Sequence, residues 1–295
     1  MDWLTEFPEL GRRDMRDFRK AIDQGFKDFT RTYGEDIEGF FEPLLQFLIW
    51  LEKLLLATPW PLFILIVAAL AWFASRSLKI VIGSSISLFF IGFLGMWEDT
   101  MSTVSIILVC TMLCIGLGLP IGILMSRSDR AQAIVTPILD VMQTIPSFVY
   151  LIPVVMLLGI GKVPGLISVV IYAIPPMIRL TNLGIRLVDK EVLEAADAFG
   201  ASPWQKLTQV QIPLALPNIF AGVNQTIMMS LAMVVIASMI GVTGLGQPVL
   251  KAISNQYLAM GLLNGLAIVA LAIIFDRVSQ SYGKRLQRYR GGLGE

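Results

Sequence analysis

Polar side chains within three apolar runs are the residues best suited to chemistry in this 295-residue sequence. They are Asp140, Gln143 and Thr144 in one run, Asn224, Gln225 and Thr226 in another, and Asn264 in the last. A polar group inside a membrane span is costly, so it usually faces the protein interior. There it either lines a pathway for a polar solute or binds a neighbouring helix. We favour a pathway and keep helix–helix hydrogen bonding as the alternative.

Enzyme and metal chemistry have little support in the sequence. It contains no histidine, which excludes imidazole catalysis and histidine-ligated metals. Cys110 and Cys114 lack further Cys or His partners, so we interpret them as lipid-facing or packed cysteines and predict no metal site. A membrane-embedded enzyme would need a converging nucleophile and base, which the scattered carboxylates do not supply. We therefore predict no catalytic residues.

Composition predicts the elements that carry these residues. The chain is 55% hydrophobic and 15% charged, whereas a soluble domain is about a quarter charged. We therefore predict an all-α polytopic membrane protein, because lipid offers no partner for unpaired backbone groups. The net charge of +1 gives no reason to expect a nucleic-acid partner. About seven transmembrane helices are predicted, at 59–75, 78–96, 101–126, 134–160, 164–180, 214–240 and 259–276.

The distribution of Lys and Arg among the turns predicts the orientation. The basic regions are the turn with Arg76 and Lys79, the turn with Arg127 and Arg130, the segment 179–213 and the tail 277–295. Seven spans place all four on one side, which is then the cytoplasm, with the C-terminus inside and the N-terminus in the periplasm. An eighth span at Leu44 to Ala57 would move only the N-terminus.

The N-terminal segment 1–57 has a different character from the rest. Its apolar residues Met15, Phe18, Ile22, Phe26 and Phe29 recur at helical spacing among charges, which predicts an amphipathic helix on a membrane surface. A soluble helix packed against a partner is the alternative. The run from Leu44 to Ala57 is short and contains Glu52 and Lys53, so we interpret it as interfacial. Two additional spans follow within 58–99.

The longest predicted cytoplasmic loop, 181–213, has the features of a folded protrusion. Asp189 can cap a short helix, and Gly200 is a suitable C-terminal stop. Ser202 and Pro203 then fit the cap and first position of a second helix, and Pro213 and Pro217 mark the return to the membrane. We expect two short helices that fold back on each other, with small Ala195 exposed.

The spacing within this loop resembles that of a known family. Glu194-Ala195-Ala196, three residues, Gly200, nine residues and Val210-x-Ile212-Pro213 are similar to the EAA loop of permease subunits in binding-protein-dependent ABC importers. The resemblance implies a type I (MetI-like) permease core over 100–276, in the bacterial cytoplasmic membrane, and a coupling helix that seats in a groove of a cytoplasmic ATPase. The coupling residues it implies are Glu191, Glu194, Ala195, Ala196, Phe199, Gly200, Ala201, Ser202 and Trp204.

Three further segments are similar to the quaternary-amine branch of that family. They are MQTIPSFVYLIPVVMLLGIGKVPG (142–165), IPPMIRLTNLGIR (174–186) and GVNQTIMMSLAMVVIASMIGVTGLGQPVL (222–250). The resemblance implies import of glycine betaine, proline betaine, choline or trimethylamine N-oxide, with an extracytoplasmic binding protein and a homodimeric permease. No nucleotide-binding motif is present, so ATP and Mg are expected on the partner ATPase and no cofactor on this chain. An amino-acid permease, such as one for methionine, and an ion-driven carrier are the alternatives.

The predicted pathway walls are the spans 134–160 and 214–240. Pro146 and Pro153 are expected to interrupt the first of these spans, and Pro175 and Pro176 the span after it. Few aromatic side chains are available for cation–π contact, so we expect a weak transient site and selection by the binding protein. The pathway residues are predicted to be Gln143, Pro146, Phe148, Tyr150, Asn224, Gln225 and Met228. The glycines of 241–246 are expected to form a flexible turn near the external gate.

Overall fold

The computed structural model describes residues 9–291, with side chains through Gly283. All regular structure in that range is helical, as predicted. The first eight residues of the segment 1–57 and most basic side chains of the tail lie outside this description. The helices are α1 (Arg12–Ala57), α2 (Trp60–Ser75), α3 (Leu78–Phe93), α4 (Trp97–Arg127), α5 (Asp129–Thr144), α6 (Ser147–Leu158), α7 (Lys162–Arg186), α8 (Lys190–Ala198), α9 (Pro203–Ile240), α10 (Gly246–Asn255) and α11 (Leu258–Gly291).

The number of helices able to cross a membrane is smaller than the seven predicted. Four described helices, α4, α7, α9 and α11, are long and apolar enough. Counting the bent pairs α1–α2 and α5–α6 as one span each raises the number to six. The remaining apolar helix, α3, has 16 residues. Its length of about 24 Å is shorter than the roughly 30 Å hydrocarbon core, which explains the difference.

Helix α7 is the centre of the bundle and packs between α4 and α9. Small residues permit this close approach. A Cβ atom at Gly122 of α4 would lie 2.6 Å from Cβ of Thr181, and one at Gly184 of α7 would lie 2.7 Å from Cβ of Asn218. The thiols of Cys110 and Cys114 are buried in the α4–α7 contact and donate to carbonyl groups of α7. They are therefore packed cysteines rather than lipid-facing ones.

Helix α1 is continuous over 46 residues, so the amphipathic stretch and the apolar run from Leu44 to Ala57 belong to one helix. The helix meets α2 at an angle of 106°. Its C-terminal part is attached to the core through Glu52, whose carboxylate pairs with Lys162 and accepts a hydrogen bond from Ser102. The apolar side chains of Phe18, Ile22 and Phe29 nearer the N-terminus remain exposed.

The prolines break one span and not the other. At Ile145–Pro146 the chain turns by 98° between α5 and α6, which confirms the predicted interruption at Pro146. Pro153 lies inside α6 without ending it. The predicted interruption at Pro175 and Pro176 is wrong, because α7 continues through both. Both prolines are buried where α4 and α9 enclose α7, and such neighbours support a helix through a proline.

The glycine-containing turn 241–246 is packed rather than loose, which corrects the predicted flexible turn. Gly241 and Gly244 have φ of +89° and +126°, a backbone region that favours glycine. A Cβ atom at Gly244 would lie 2.4 Å from the hydroxyl of Thr103, and that hydroxyl accepts a hydrogen bond from the amide of Leu245. Val242 is fully buried. The turn is therefore fastened to α4.

Candidate coupling loop and substrate pathway

Helix α8 is the short helix that the sequence predicted in the loop 181–213. The side chain of Asp189 accepts a hydrogen bond from the amide of Glu191 at 3.0 Å, which confirms the predicted cap. The helix ends as expected at Gly200, whose φ is +78°. The amide of Gly200 donates to the carbonyl of Asp197, and that of Ala201 donates to Ala196. Both ends of α8 are thus closed by local hydrogen bonds, independently of a partner.

The second element begins as predicted but does not end as predicted. Ser202 and Gln205 form a reciprocal capping box, and Pro203 occupies the first turn. The helix then continues as α9 to Ile240, so it is the start of a span and not a separate short helix. A π-helical stretch, Lys206–Gln211, precedes Pro213. The wider turn accommodates the proline ring, which would clash with the carbonyl four residues earlier in a regular α-helix.

An ion pair fixes α8 to the first turns of α9. The ammonium group of Lys206 lies 2.7 and 2.8 Å from the two carboxylate oxygens of Asp197. Sequence reasoning missed this pair because the two residues are nine positions apart, across a turn. This ion pair therefore connects α8 directly to the long helix α9, so that a displacement of α8 can be passed on to α9.

The loop presents large apolar side chains to its surroundings. Phe199 is 93% exposed and Trp204 is 68% exposed, although both types are normally among the more buried residues. Val192 on α8 is also exposed. No residue of α8 is buried. Exposed aromatic groups on an otherwise polar protrusion are typical of a protein–protein contact.

All nine predicted coupling residues belong to this one protrusion. Glu191, Glu194, Ala195 and Ala196 lie on α8, Phe199 and Gly200 at its C-terminal end, and Ala201, Ser202 and Trp204 at the entry to α9. All are exposed except Ala196 and Ala201, which are half-buried. The local geometry therefore brings the predicted set together on one accessible surface.

The predicted pathway residues of α5 and α6 fall into two groups. Gln143, Pro146 and Phe148 are exposed around the α5–α6 bend. Tyr150 is buried, and its hydroxyl donates to the carbonyl of Met142 across the bend. Tyr150 thus holds the bend together, whereas the other three are accessible.

The predicted pathway residues of α9 also differ from one another. The amide of Asn224 donates to Asp276 at 2.9 Å and accepts from Ser279, so it links α9 to α11. Asn224 therefore forms the helix–helix hydrogen bonds that were the alternative to a role in the pathway. Gln225 and Met228 are exposed. A cavity of about 340 Å³ lies beside Asn224, between Phe220 and Gln280.

A charged pair between two spans was not among the predicted site residues. The guanidinium of Arg179 on α7 donates to the carboxylate of Asp140 on α5. Asp140 was noted in the sequence, but its position 39 residues from Arg179 gives no local sign of the pair. Asp140 lies in the last turn and a half of α5 and binds α7.

The all-helical fold with its candidate spans and its exposed loop is that of an integral membrane protein. The family model for binding-protein-dependent transport system inner membrane components matches residues 115–288, more than half of the chain. The chain belongs to this family. It is therefore a permease component and not the ATPase of its system.

Individual relatives agree with this assignment. The glycine betaine/proline betaine permease protein ProW of Escherichia coli is 48% identical over 98% of this chain and 84% of its own length. The glycine betaine permease protein OpuAB of Bacillus subtilis is 42% identical over 88% of this chain and 92% of its own. The fold is similar to that of the MetNI methionine ABC transporter, with a TM-score of 0.57 and 20% identity over 63% of this chain and 93% of that chain.

Proposed function

We propose that this chain imports a quaternary or fully methylated amine, with glycine betaine or proline betaine as the cargo. The observation that carries the proposal is the 48% identity to a glycine betaine/proline betaine permease over nearly the whole chain. The alternative of methionine as cargo has weaker support, because the similarity to the methionine transporter is 20% identity and concerns the fold alone.

The complex in this proposal contains two copies of the permease, two ATPase subunits that hold ATP and Mg, and a periplasmic binding protein that selects the cargo. The exposed Phe199 and Trp204 support a contact between the α8 loop and the ATPase. The open side chains of Asp140 and Arg179 support a second copy. Charges in lipid are costly, so this surface is expected to face water or protein in the assembled pathway.

The proposed cycle transmits force through α8 and α9. ATP-driven closure of the ATPase subunits moves the two loops together and opens the pathway to the periplasm. Hydrolysis then resets the pathway to the cytoplasmic side. The coupling is an equilibrium between two states that is biased at a remote site. In this orientation the loop and the C-terminus are cytoplasmic and the N-terminus is periplasmic.

Reconstitution in lipid vesicles tests the proposal. Vesicles with the permease, its ATPase, the binding protein and ATP should accumulate labelled glycine betaine. Vesicles with the permease alone, with or without an ion gradient, should not. Uptake by the permease alone would favour the ion-driven carrier, and uptake of methionine but not glycine betaine would overturn the proposed cargo.

A further inference from the structure

We propose that the Asp140–Arg179 pair is a transit site for the zwitterionic cargo, which replaces each partner of the pair with its own opposite charge. This inference rests on the proposed function. A betaine carries a carboxylate and a permanently charged ammonium in one small molecule. The carboxylate would bind Arg179, and the ammonium would lie against Asp140.

The position of the pair suits a step inside the membrane. Arg179 precedes Arg186, the last residue of α7, by seven positions, or about 10 Å along the helix. Asp140 follows Asp129, the first residue of α5, by eleven positions, or about 16 Å. Arg179 thus lies about two turns inside α7, and Asp140 lies about one turn before the α5–α6 bend, both in helices that belong to candidate spans. Ionisable residues at such depth are typically found on substrate pathways.

The pair is more open than the Lys162–Glu52 pair, which attaches α1 to the core. The side chains of Arg179 and Asp140 are 37% and 57% exposed. Those of Lys162 and Glu52, which attach α1, are 26% and 12% exposed. An open pair can be reached by a solute in the pathway.

Arg179 retains donors for a ligand. Its terminal nitrogen binds Asp140, while its Nε atom is buried and has no hydrogen-bond partner among the described residues. A guanidinium offers five N–H donors in a fork that matches a carboxylate. The ligand carboxylate can therefore be bound by two parallel hydrogen bonds as Asp140 turns to the ammonium.

The surface beside Asp140 is polar in an otherwise apolar region. Gln143 and Thr144 follow Asp140 at helical spacing of three and four residues, so they share its face, and both are exposed. Beyond the bend the accessible residues Phe148 and Ile152 are apolar. This combination of polar and apolar side chains suits a methylated ammonium. The group donates no N–H hydrogen bond, and its methyl groups pack well against apolar side chains. When the cargo binds between Asp140 and Arg179, each of these two charged groups therefore still has an opposite charge beside it.

Two variants of the pair test this inference in the full complex with ATPase and binding protein. D140N/R179Q removes both charges but keeps groups that can hydrogen-bond. R179K keeps the charge and the ion pair but loses the two-donor fork. We expect about tenfold lower glycine betaine uptake in D140N/R179Q, and an uptake KM about tenfold higher in R179K. ATPase stimulation by the loaded binding protein should stay within about twofold, because the coupling loop is unchanged.

The matched control is D129N, which removes the other ion pair between α5 and α7, that of Asp129 with Arg186. Uptake by D129N should equal that of the wild type. An equal loss in D129N would show that the pairs only join two helices, and wild-type uptake in R179K would also overturn the inference. Absence of uptake by the wild-type complex would instead overturn the proposed cargo. Saturation-transfer NMR gives a direct readout, with the methyl signal of glycine betaine present for wild-type permease and lost for D140N/R179Q.

Discussion

The ammonium group of Lys206 contacts both carboxylate oxygens of Asp197, at 2.7 and 2.8 Å, and so connects the short helix α8 to the long helix α9. The side chains are partly exposed, so the pair contributes less than about 1 kcal/mol to stability. In the proposed cycle this pair holds α8 at a fixed angle to α9 while the ATPase moves the loop.

Replacement of Lys206 by methionine should weaken coupling without unfolding the protein. The aliphatic part of the side chain is kept and the link to Asp197 is lost, so ATP hydrolysis should continue while uptake per ATP falls severalfold. The ratio of uptake to hydrolysis in vesicles measures this. K190M is the control, because Lys190 is an exposed cation at the start of α8 that forms no ion pair with the described side chains. An unchanged ratio in K206M would contradict the role of the link.

Replacement of Gly200 by valine should impair the same coupling for a different reason. Space is available, since a Cβ atom there meets no other atom within 4 Å, but φ of +78° is unfavourable for a branched residue. The strain costs about 1–2 kcal/mol and favours another loop shape. We expect normal membrane insertion and a large loss of uptake. G265A, a helical glycine that also has open space, should behave as the wild type.

Replacement of Gly122 by alanine should destabilise the core. The new Cβ atom would lie 2.8 Å from the backbone carbonyl of Ile178, which cannot move away without shifting α7. Overpacking of this kind costs about 1–3 kcal/mol. We expect a thermal unfolding midpoint several degrees lower for the purified protein. G116A on the same helix meets no atom within 4 Å and should leave the midpoint unchanged; equal midpoints for both variants would contradict the packing.

Replacement of Glu52 by alanine should release the C-terminal part of α1 from the core. The change leaves Lys162 without its carboxylate partner, and removal of one member of this partly buried pair costs up to about 3 kcal/mol. Limited proteolysis should then cut α1 faster than in the wild type. K53A, at the exposed neighbouring position, is the control. Equal cutting rates in E52A and the wild type would show that other contacts attach α1.

The local parts of the coupling loop could be predicted because short-range chemistry determines them. Asp189, Gly200 and the Ser202–Pro203 pair act on backbone groups within a few residues, and each behaves as expected. The continuation of α9 could not be predicted, because a proline such as Pro213 normally marks the end of a helix. The π-helical turn before it accommodates the proline ring, and the sequence gives no sign of that turn.

The parts that could not be predicted depend on contacts between distant segments. Pro175 and Pro176 leave α7 intact because α4 and α9 enclose them, and nothing near them in the sequence indicates those neighbours. Likewise, the partners of Asp140 and Glu52 are 39 and 110 residues away. The all-helical fold was predictable from composition, whereas the role of each intramembrane charge required the packing.

The most direct test of the account is site-specific photo-cross-linking from position 199 in the assembled transporter. Phe199 is the most exposed aromatic residue of the loop, so a photoreactive residue there should join the ATPase subunit in high yield. Position 257 is the control, because Tyr257 is exposed but follows the far end of α9, which is about 57 Å long. We predict an ATPase adduct from 199 and none from 257. An adduct with the binding protein from 199, or an ATPase adduct from 257 only, would contradict it.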